Sequence, residues 1–328
     1  MRISKIGIRV GGIAMGAYFV WLSWQYFHGK ASIGSSMVKL LHSPEMLLLM
    51  IGGYSLSFIV KALAWRLYSG RDKEDRLALY IHPLLVSLLV NHVLPLKVGD
   101  LARTGLLARS AAIRWDDALH WVAVMRVLDM ASLLFIGSVG ALLLGLEASP
   151  WFIVVVALGV LVLVALYLFE RRRRSNQQYQ TDRKGIVAFV QRHYIRLQST
   201  LASKRGAAAA LLTLVSWLLE GAVVYGVTGV LDLPVNPFEA IWVTSMTIAG
   251  QLFHVTPGGI GTYETTLTAS LGVLGVSGEV AFAAALLSHG FKFVFAYVTG
   301  AASLAMSAVT WKELRSWLQP TGREGHIK

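Results

Sequence analysis

Gln251-Leu-Phe-His-Val-Thr-Pro-Gly-Gly-Ile-Gly-Thr-Tyr-Glu264 lies between two apolar runs, and its reading decides the fold. Pro257 lacks a backbone donor and ends a helix arriving from residue 238. Gly258, Gly259 and Gly261 accept backbone angles that other residues resist, and they let other groups come close to the backbone. Thr262, Tyr263 and Glu264 open the next apolar run, with an acid where a helix's first turn favours negative charge. The pattern predicts helix, break, helix. Two readings of the break stand. One is a tight loop at a membrane surface. The other is a break at membrane depth, tolerated only where protein or a watery cavity covers it. A helix N-terminus facing such a cavity suits an anionic group.

The chain around this stretch is strongly apolar. Of 328 residues, 55% are hydrophobic and only 15% charged, with a mean hydropathy of +0.59. That balance suits a polytopic membrane protein rather than a soluble one. The formal net charge of +12 belongs, in such a protein, in cytoplasmic loops beside anionic headgroups. No basic-aromatic motif points to nucleic acid, so none is expected as a partner. The absence of cysteine excludes disulfides and thiolate metal sites. Arg2, Lys5 and Arg9 precede an apolar run to Phe27 without a clear small-x-small cleavage site, so an uncleaved first span is expected.

Segments of spanning length occupy 8–27, 45–68, 118–146, 151–169, 207–230 and 280–310. The basic segments are the N-terminus, 69–76, 97–117, 170–206 and the tail, which places all of them in the cytoplasm. Segment 170–206 holds Arg171 to Arg174 and six further Lys or Arg against two acids. It reads as a solvated cytoplasmic loop or as a basic surface for anionic lipid. Residues 77–110 must then begin and end inside, and 238–276 outside. Each is expected to be a re-entrant helical hairpin, the two entering from opposite faces; a short full span over 262–276 leaves the parity unchanged. His92-x-x-Pro95-x-x-x-Gly99 recurs as His254-x-x-Pro257-x-x-x-Gly261. This is either the trace of an inverted repeat whose tips meet near the midplane or a coincidence of three positions. The expected architecture is an all-α polytopic membrane protein, one integral membrane domain over 1–328. It has about six full spans and two oppositely oriented re-entrant hairpins. The expected location is the cell membrane, multi-pass, with both termini cytoplasmic.

Three motifs carry a family resemblance. Pro257-Gly-Gly-Ile-Gly-Thr-Tyr-Glu264 resembles the signature of the lysylphosphatidylglycerol synthase transmembrane family, a flippase-like membrane domain. Asn91, Pro95, Gly99, Asp100 and Arg103 are similar to its N-x-x-x-P-x-x-x-G-E-x-x-R pattern, with Asp100 where Glu is usual. Arg126-Val-Leu-Asp129 is similar to its E-R-x-x-D, with Met125 in place of the Glu. The resemblance runs from about residue 10 to 310. It implies an integral membrane domain that moves or handles lipid, often beside lipid-modifying or glycosyltransfer enzymes. Larger members add a soluble aminoacyl-transfer domain, and that activity is not expected of these residues.

Ionisable groups within membrane segments are costly and face protein or water. The candidates are Asp100, Arg103, Arg126, Asp129, Glu220, His254, Glu264, His289 and Lys292. Arg126 and Asp129 share one helix face and form either a structural ion pair or a phosphate site in which Asp129 orients Arg126. Arg103 either reaches a headgroup or snorkels to the interface. Lys292 calls for a carboxylate, Glu264 or Glu220. Gly258, Gly259 and Gly261 are expected to supply backbone donors. Paired glycines at Gly11–Gly12 and Gly52–Gly53 are expected to serve close helix packing. No H-E-x-x-H, G-x-S-x-G or P-loop occurs, and no metal or cofactor is expected. The expected function is not enzymatic. It is transport of an amphipathic lipid with a phosphate-bearing headgroup: an aminoacyl-phospholipid, a polyprenyl-phosphate or a glycolipid. The alternative is an accessory subunit that binds lipid and presents it to a lipid synthase or glycosyltransferase.

Overall fold

A computed structural model describes residues 32–71, 75–94, 98–146, 203–251 and 256–307. The expected spans 8–27 and 151–169, nearly all of the basic loop, Pro95 and His254 lie outside the described residues. Nine α-helices and no strands occur among the described residues. They are α1 Ser32–Leu41, α2 Pro44–Ser69, α3 Ala78–Val93, α4 Gly99–Ser110 and α5 Trp115–Leu143. After residue 203 come α6 Lys204–Val230, α7 Pro237–Gly250, a 3-10 turn Pro257–Gly259, α8 Thr262–Val273 and α9 Gly278–Met306.

Four helices, α2, α5, α6 and α9, are long and apolar enough to cross a membrane. Their 26 to 29 residues reach about 39–44 Å, beyond the ~30 Å hydrocarbon core. Their starts and stops follow local chemistry. Pro44 opens α2 and Gly70, in the left-handed region at φ 74°, closes it. Ser203 caps α6 by accepting the Gly206 N–H at 3.1 Å. Asn236 and Glu239 form a reciprocal cap on α7, at 3.0 and 2.7 Å, with Pro237 in its first turn.

The distribution of side chains is that of a protein in lipid. Leu48, Val127, Phe135, Leu211, Val294 and Val298 point outward. Arg103, Asp129, Glu220, Glu264, His289 and Lys292 point inward and are buried. Large apolar groups outside and these charges inside invert the soluble pattern and keep these six ionisable groups away from hydrocarbon.

α2 packs closely on α6. A Cβ on Gly53 would stand 2.4 Å from the Ala222 Cβ, so only glycine allows this approach. Its neighbour Gly52 faces open space, so the expected packing role falls to one glycine of the pair. Gly11 and Gly12 lie outside the described residues. One core cluster gathers Tyr54, Val227, Trp242, Tyr263, Leu267 and Phe295; a second gathers Trp65, Tyr80, Trp121 and Met125.

The helices of the two expected hairpins are short: 16 and 12 residues in α3 and α4, 14 and 12 in α7 and α8. At about 18–24 Å, none alone crosses a bilayer core. α3 packs on α4 and on α9; α7 packs on α5, α6 and α8. Asn91, near the end of α3, accepts the Gly99 N–H at 2.8 Å through its side chain and so ties the two ends together.

Candidate functional site

The break after α7 is built by hydrogen bonds within itself. The Thr256 carbonyl accepts the Gly259 N–H at 3.1 Å, and its hydroxyl donates to the Ile260 carbonyl at 2.8 Å. Gly258, Gly259 and Gly261 have φ of 65°, 78° and 88°, the region glycine alone enters freely. Glu264 accepts the Gly261 N–H at 2.7 Å and so caps α8; glycine has no side chain to return the bond. The N–H groups of Gly259 and Gly261 are therefore spent inside the turn, unlike the expectation that they serve as ligand donors. Gly99 differs from Gly261, its counterpart in the suspected repeat: it lacks a positive φ and bonds a side chain eight residues back.

A cavity of about 160 Å³ opens beside this turn. α2 lines it with Tyr54, Phe58 and Lys61, and α5 with Arg126 and Asp129. α6 contributes Trp217 and Glu220; α9 contributes His289 and Lys292. Asn91, His92, Arg103, Gln251, Gly258 and Tyr263 complete much of the wall. Among the expected site residues, Asn91, Arg103, Arg126, Asp129, Glu220, Gly258, Tyr263 and Lys292 thus meet at one place. Asp100 and Glu264 bind lining residues from behind. Gly99, Pro257, Gly259 and Gly261 shape the two breaks and do not line the cavity.

One chain of charges runs along the wall. Arg126 donates from Nε and Nη2 to Asp100 at 2.8 and 2.9 Å, a bidentate pair. Arg103 Nη2 reaches the same carboxylate at 3.2 Å and the Val122 carbonyl at 3.4 Å. Arg126 Nη1 is 3.8 Å from Asp129, outside hydrogen-bond reach. The expected Arg126–Asp129 pair is therefore secondary; the principal partner of Arg126 is Asp100, on another helix. Asp129 instead accepts Trp217 Nε1–H at 3.0 Å and pairs with Lys61 at 3.3 Å. The Lys61 ammonium also sits 3.7 Å over the Trp217 ring, a cation–π contact. Arg103 is 3% exposed, which rules out snorkelling, and its Nε has no hydrogen-bond partner.

A second ion pair stands apart. Lys292 donates to Glu220 at 2.8 Å, and its ammonium lies 5.3 Å from the rings of both Tyr54 and Tyr263. Of the two carboxylates weighed for Lys292, the structure brings Glu220. Glu264 turns to His289: Oε1 is 2.6 Å from Nδ1, while Nε2 is 3.0 Å from the Gly258 carbonyl. A carbonyl only accepts, so Nε2 carries a proton, and the Nδ1–Oε1 contact needs one more. The Glu264–His289 unit holds two protons and no net charge, whichever atom keeps the second. Tyr263 stacks on the imidazole at 4.2 Å and hydrogen-bonds Ser288 at 3.2 Å. Among the described residues no cluster of His, Asp and Glu could hold a metal ion.

The cavity's described lining residues and the turn motif all lie within one stretch that matches a known family. Residues 9–300 match the family of the lysylphosphatidylglycerol synthase TM region. The chain belongs to that family. Neither curated proteins nor solved structures give a match. The family fixes a multi-pass membrane protein with a lipid-related function. In this family member Lys61, Trp217 and Tyr54 join the cavity without having been named as site candidates, and so does Gln251, the first residue of the quoted stretch. For Lys61 the signal was present: Tyr54, Phe58 and Lys61 recur at i, i+4 and i+7, one helix face. Trp217 precedes Glu220 by one turn, a placement visible only once Glu220 is known to face inward.

Proposed function

We propose that this family member is a flippase-like carrier of an amphipathic lipid with a phosphate-bearing headgroup. The observation that carries the reading is the cation-lined cavity inside a bundle of membrane-length helices. Its volume, about 160 Å³, fits a headgroup rather than a whole lipid; drug-sized pockets run to roughly 300–1,000 Å³. Acyl chains then lie against the apolar outer faces. Arg126 keeps 35% of its side chain accessible and is the reachable cation, whereas Lys292 keeps 5%. The protein carries out no reaction on the lipid.

The finer topology belongs to the same proposal. α3–α4 and α7–α8 are re-entrant hairpins that enter from opposite faces of the cell membrane, and six full spans leave both termini cytoplasmic. The shortness of these four helices and the breaks between them support this reading.

The test is lipid binding and leaflet exchange by the purified protein in vesicles of stated composition. Arg126→Gln, in protein shown to be folded, is expected to lower binding of an anionic phospholipid at least about tenfold, the scale of one charge-assisted hydrogen bond. Unchanged binding by that variant removes the cavity from the function. Binding with no leaflet exchange by the unaltered protein leaves presentation to a partner enzyme as the activity.

A further inference from the structure

Among the described residues, the two carboxylates that line the cavity are already held by protein ammonium groups. Glu220 has Lys292 at 2.8 Å, packed between Tyr54 and Tyr263. Asp129 has Lys61 at 3.3 Å, packed on Trp217. A carboxylate with aromatic faces around it is the environment that captures an ammonium ligand. Here it occurs twice, and in each case a lysine of the chain fills it. Trp217 and Glu220 stand one turn apart on α6, so one helix face organises both sites. Lys292 and Glu220 are both more than nine-tenths buried, so a ligand cannot claim this carboxylate without stranding the lysine.

The charge count points the same way. Among the described residues in and beside the cavity, Lys61, Arg103, Arg126 and Lys292 face Asp100, Asp129 and Glu220. The Glu264–His289 unit adds no net charge. Four cations against three carboxylates leave one positive charge in excess. Two of the donors at the wall are also cationic: Arg103, which lines the cavity, has a buried Nε with no partner, and Arg126 Nη1 lies 3.8 Å from its nearest carboxylate oxygen.

We infer that the cavity selects a phosphate ester with an anionic headgroup and rejects one that carries an ammonium group. The inference rests on the lipid-carrier reading and narrows it: an aminoacylated phospholipid is excluded, and an unmodified phosphodiester or polyprenyl-phosphate fits. A ligand ammonium in this cavity meets two lysines and two arginines and finds, among the described residues, no carboxylate without a cation already on it. A phosphate meets two guanidinium groups, whose planar donors suit its oxygens.

The experiment compares three probes on the purified protein in uncharged-lipid nanodiscs: phosphatidylglycerol, its lysyl ester, and soluble glycerol 3-phosphate. The expected result is that phosphatidylglycerol binds tighter than the lysyl ester by about tenfold or more, a modest share of the like-charge cost at a few ångströms. Lys292→Gln frees Glu220 and removes the excess charge, so the preference should shrink or reverse. Glu220→Gln adds to the excess, so the preference should widen. Because each single variant leaves a buried charge without its partner and can fail to fold, the comparison of the two lipids on the unaltered protein carries the test by itself. The double variant keeps the excess of one, and its preference should match the unaltered protein.

Equal or tighter binding of the lysyl ester by the unaltered protein overturns the inference and leaves the lipid-carrier reading standing. Failure of folded protein to bind either lipid overturns both. Glycerol 3-phosphate binding more tightly than phosphatidylglycerol keeps the charge selection and overturns the lipid as its source.

Discussion

Asp100 is the carboxylate on which the arginine wall depends. It accepts two bonds from Arg126 and one contact from Arg103, which is itself buried. Removing one partner of a buried charge network costs far more than a surface pair, because the remaining charge loses its compensation. Asp100→Asn keeps shape and one acceptor but strands two guanidinium groups. It is expected to cost about 1–3 kcal/mol, less than a fully buried pair because Arg126 and Asp100 keep 35% and 29% of their side chains accessible. The loss is seen as a lower unfolding midpoint in detergent, and Arg103→Met in the same background should recover part of it. Full stability of the single variant would show that water, not Asp100, compensates the arginines. Glu264 makes the opposite case. Glutamine there can accept the Gly261 N–H through its oxygen and donate its amide to Nδ1 of a neutral His289. Glu264→Gln is therefore expected to stay within about 1 kcal/mol of the parent, while Glu264→Ala, which leaves both neighbours unmet, should lose about 2–4. Equal losses for the two would mean that charge, not hydrogen bonding, is what this position supplies.

At the scale of elements, the turn between α7 and α8 is fixed by sterics. A Cβ on Gly259 would lie 2.2 Å from Gln251 Nε2, and one on Gly258 2.4 Å from the Phe293 ring. Gly259→Ala is thus expected to cost about 1–3 kcal/mol through φ and contact together. Gly290→Ala, on the exposed side of α9 with nothing within 4 Å, should be neutral or stabilising by up to about 1 kcal/mol. Thermal unfolding of the two variants side by side checks the contrast, and a neutral Gly259→Ala would mean that the turn is not held as described. The break itself was legible in the sequence, because proline and clustered glycine act locally. So were α2, α5, α6 and α9, whose apolar runs are as long as a bilayer is thick. The pairing of charges was not legible. Sequence spacing exposes partners three or four residues apart, as with Arg126 and Asp129, whereas Arg126 and Asp100 are 26 positions apart and Lys292 and Glu220 are 72. Those partners are chosen by how α4 meets α5 and how α6 meets α9. Lys61, a charge within the second span, was not assignable to the site for the same reason: its carboxylate and its aromatic ring come from two other helices.

For the whole molecule, the ends of α2 and α6 fix which connections share a membrane face. Arg205, at the start of α6, donates to the carbonyl of Gly70, at the end of α2, at 3.2 Å. Lys39, just before α2, pairs with Asp232, just after α6. The two helices therefore run antiparallel with their ends level. The Gly70 end carries Arg66, Arg71, Arg76, Lys204 and Arg205, while the Asp232 end carries Lys39 against Asp232 and Glu239. Basic residues stay on the cytoplasmic side during insertion, so the Gly70 end is expected inside and the Asp232 end outside. The chain has no cysteine, so single cysteines report position without a background. Arg76 and Pro234 are both exposed, and neither takes part in a cap, unlike Asn236, whose side chain accepts the Glu239 N–H. Arg76→Cys should react with a membrane-impermeant maleimide only after the cells are opened, and Pro234→Cys should react in intact cells. Labelling of both in intact cells would break the level pairing of α2 and α6. Labelling of Arg76→Cys alone would invert the protein in the membrane, and with it the face from which a lipid reaches Arg126.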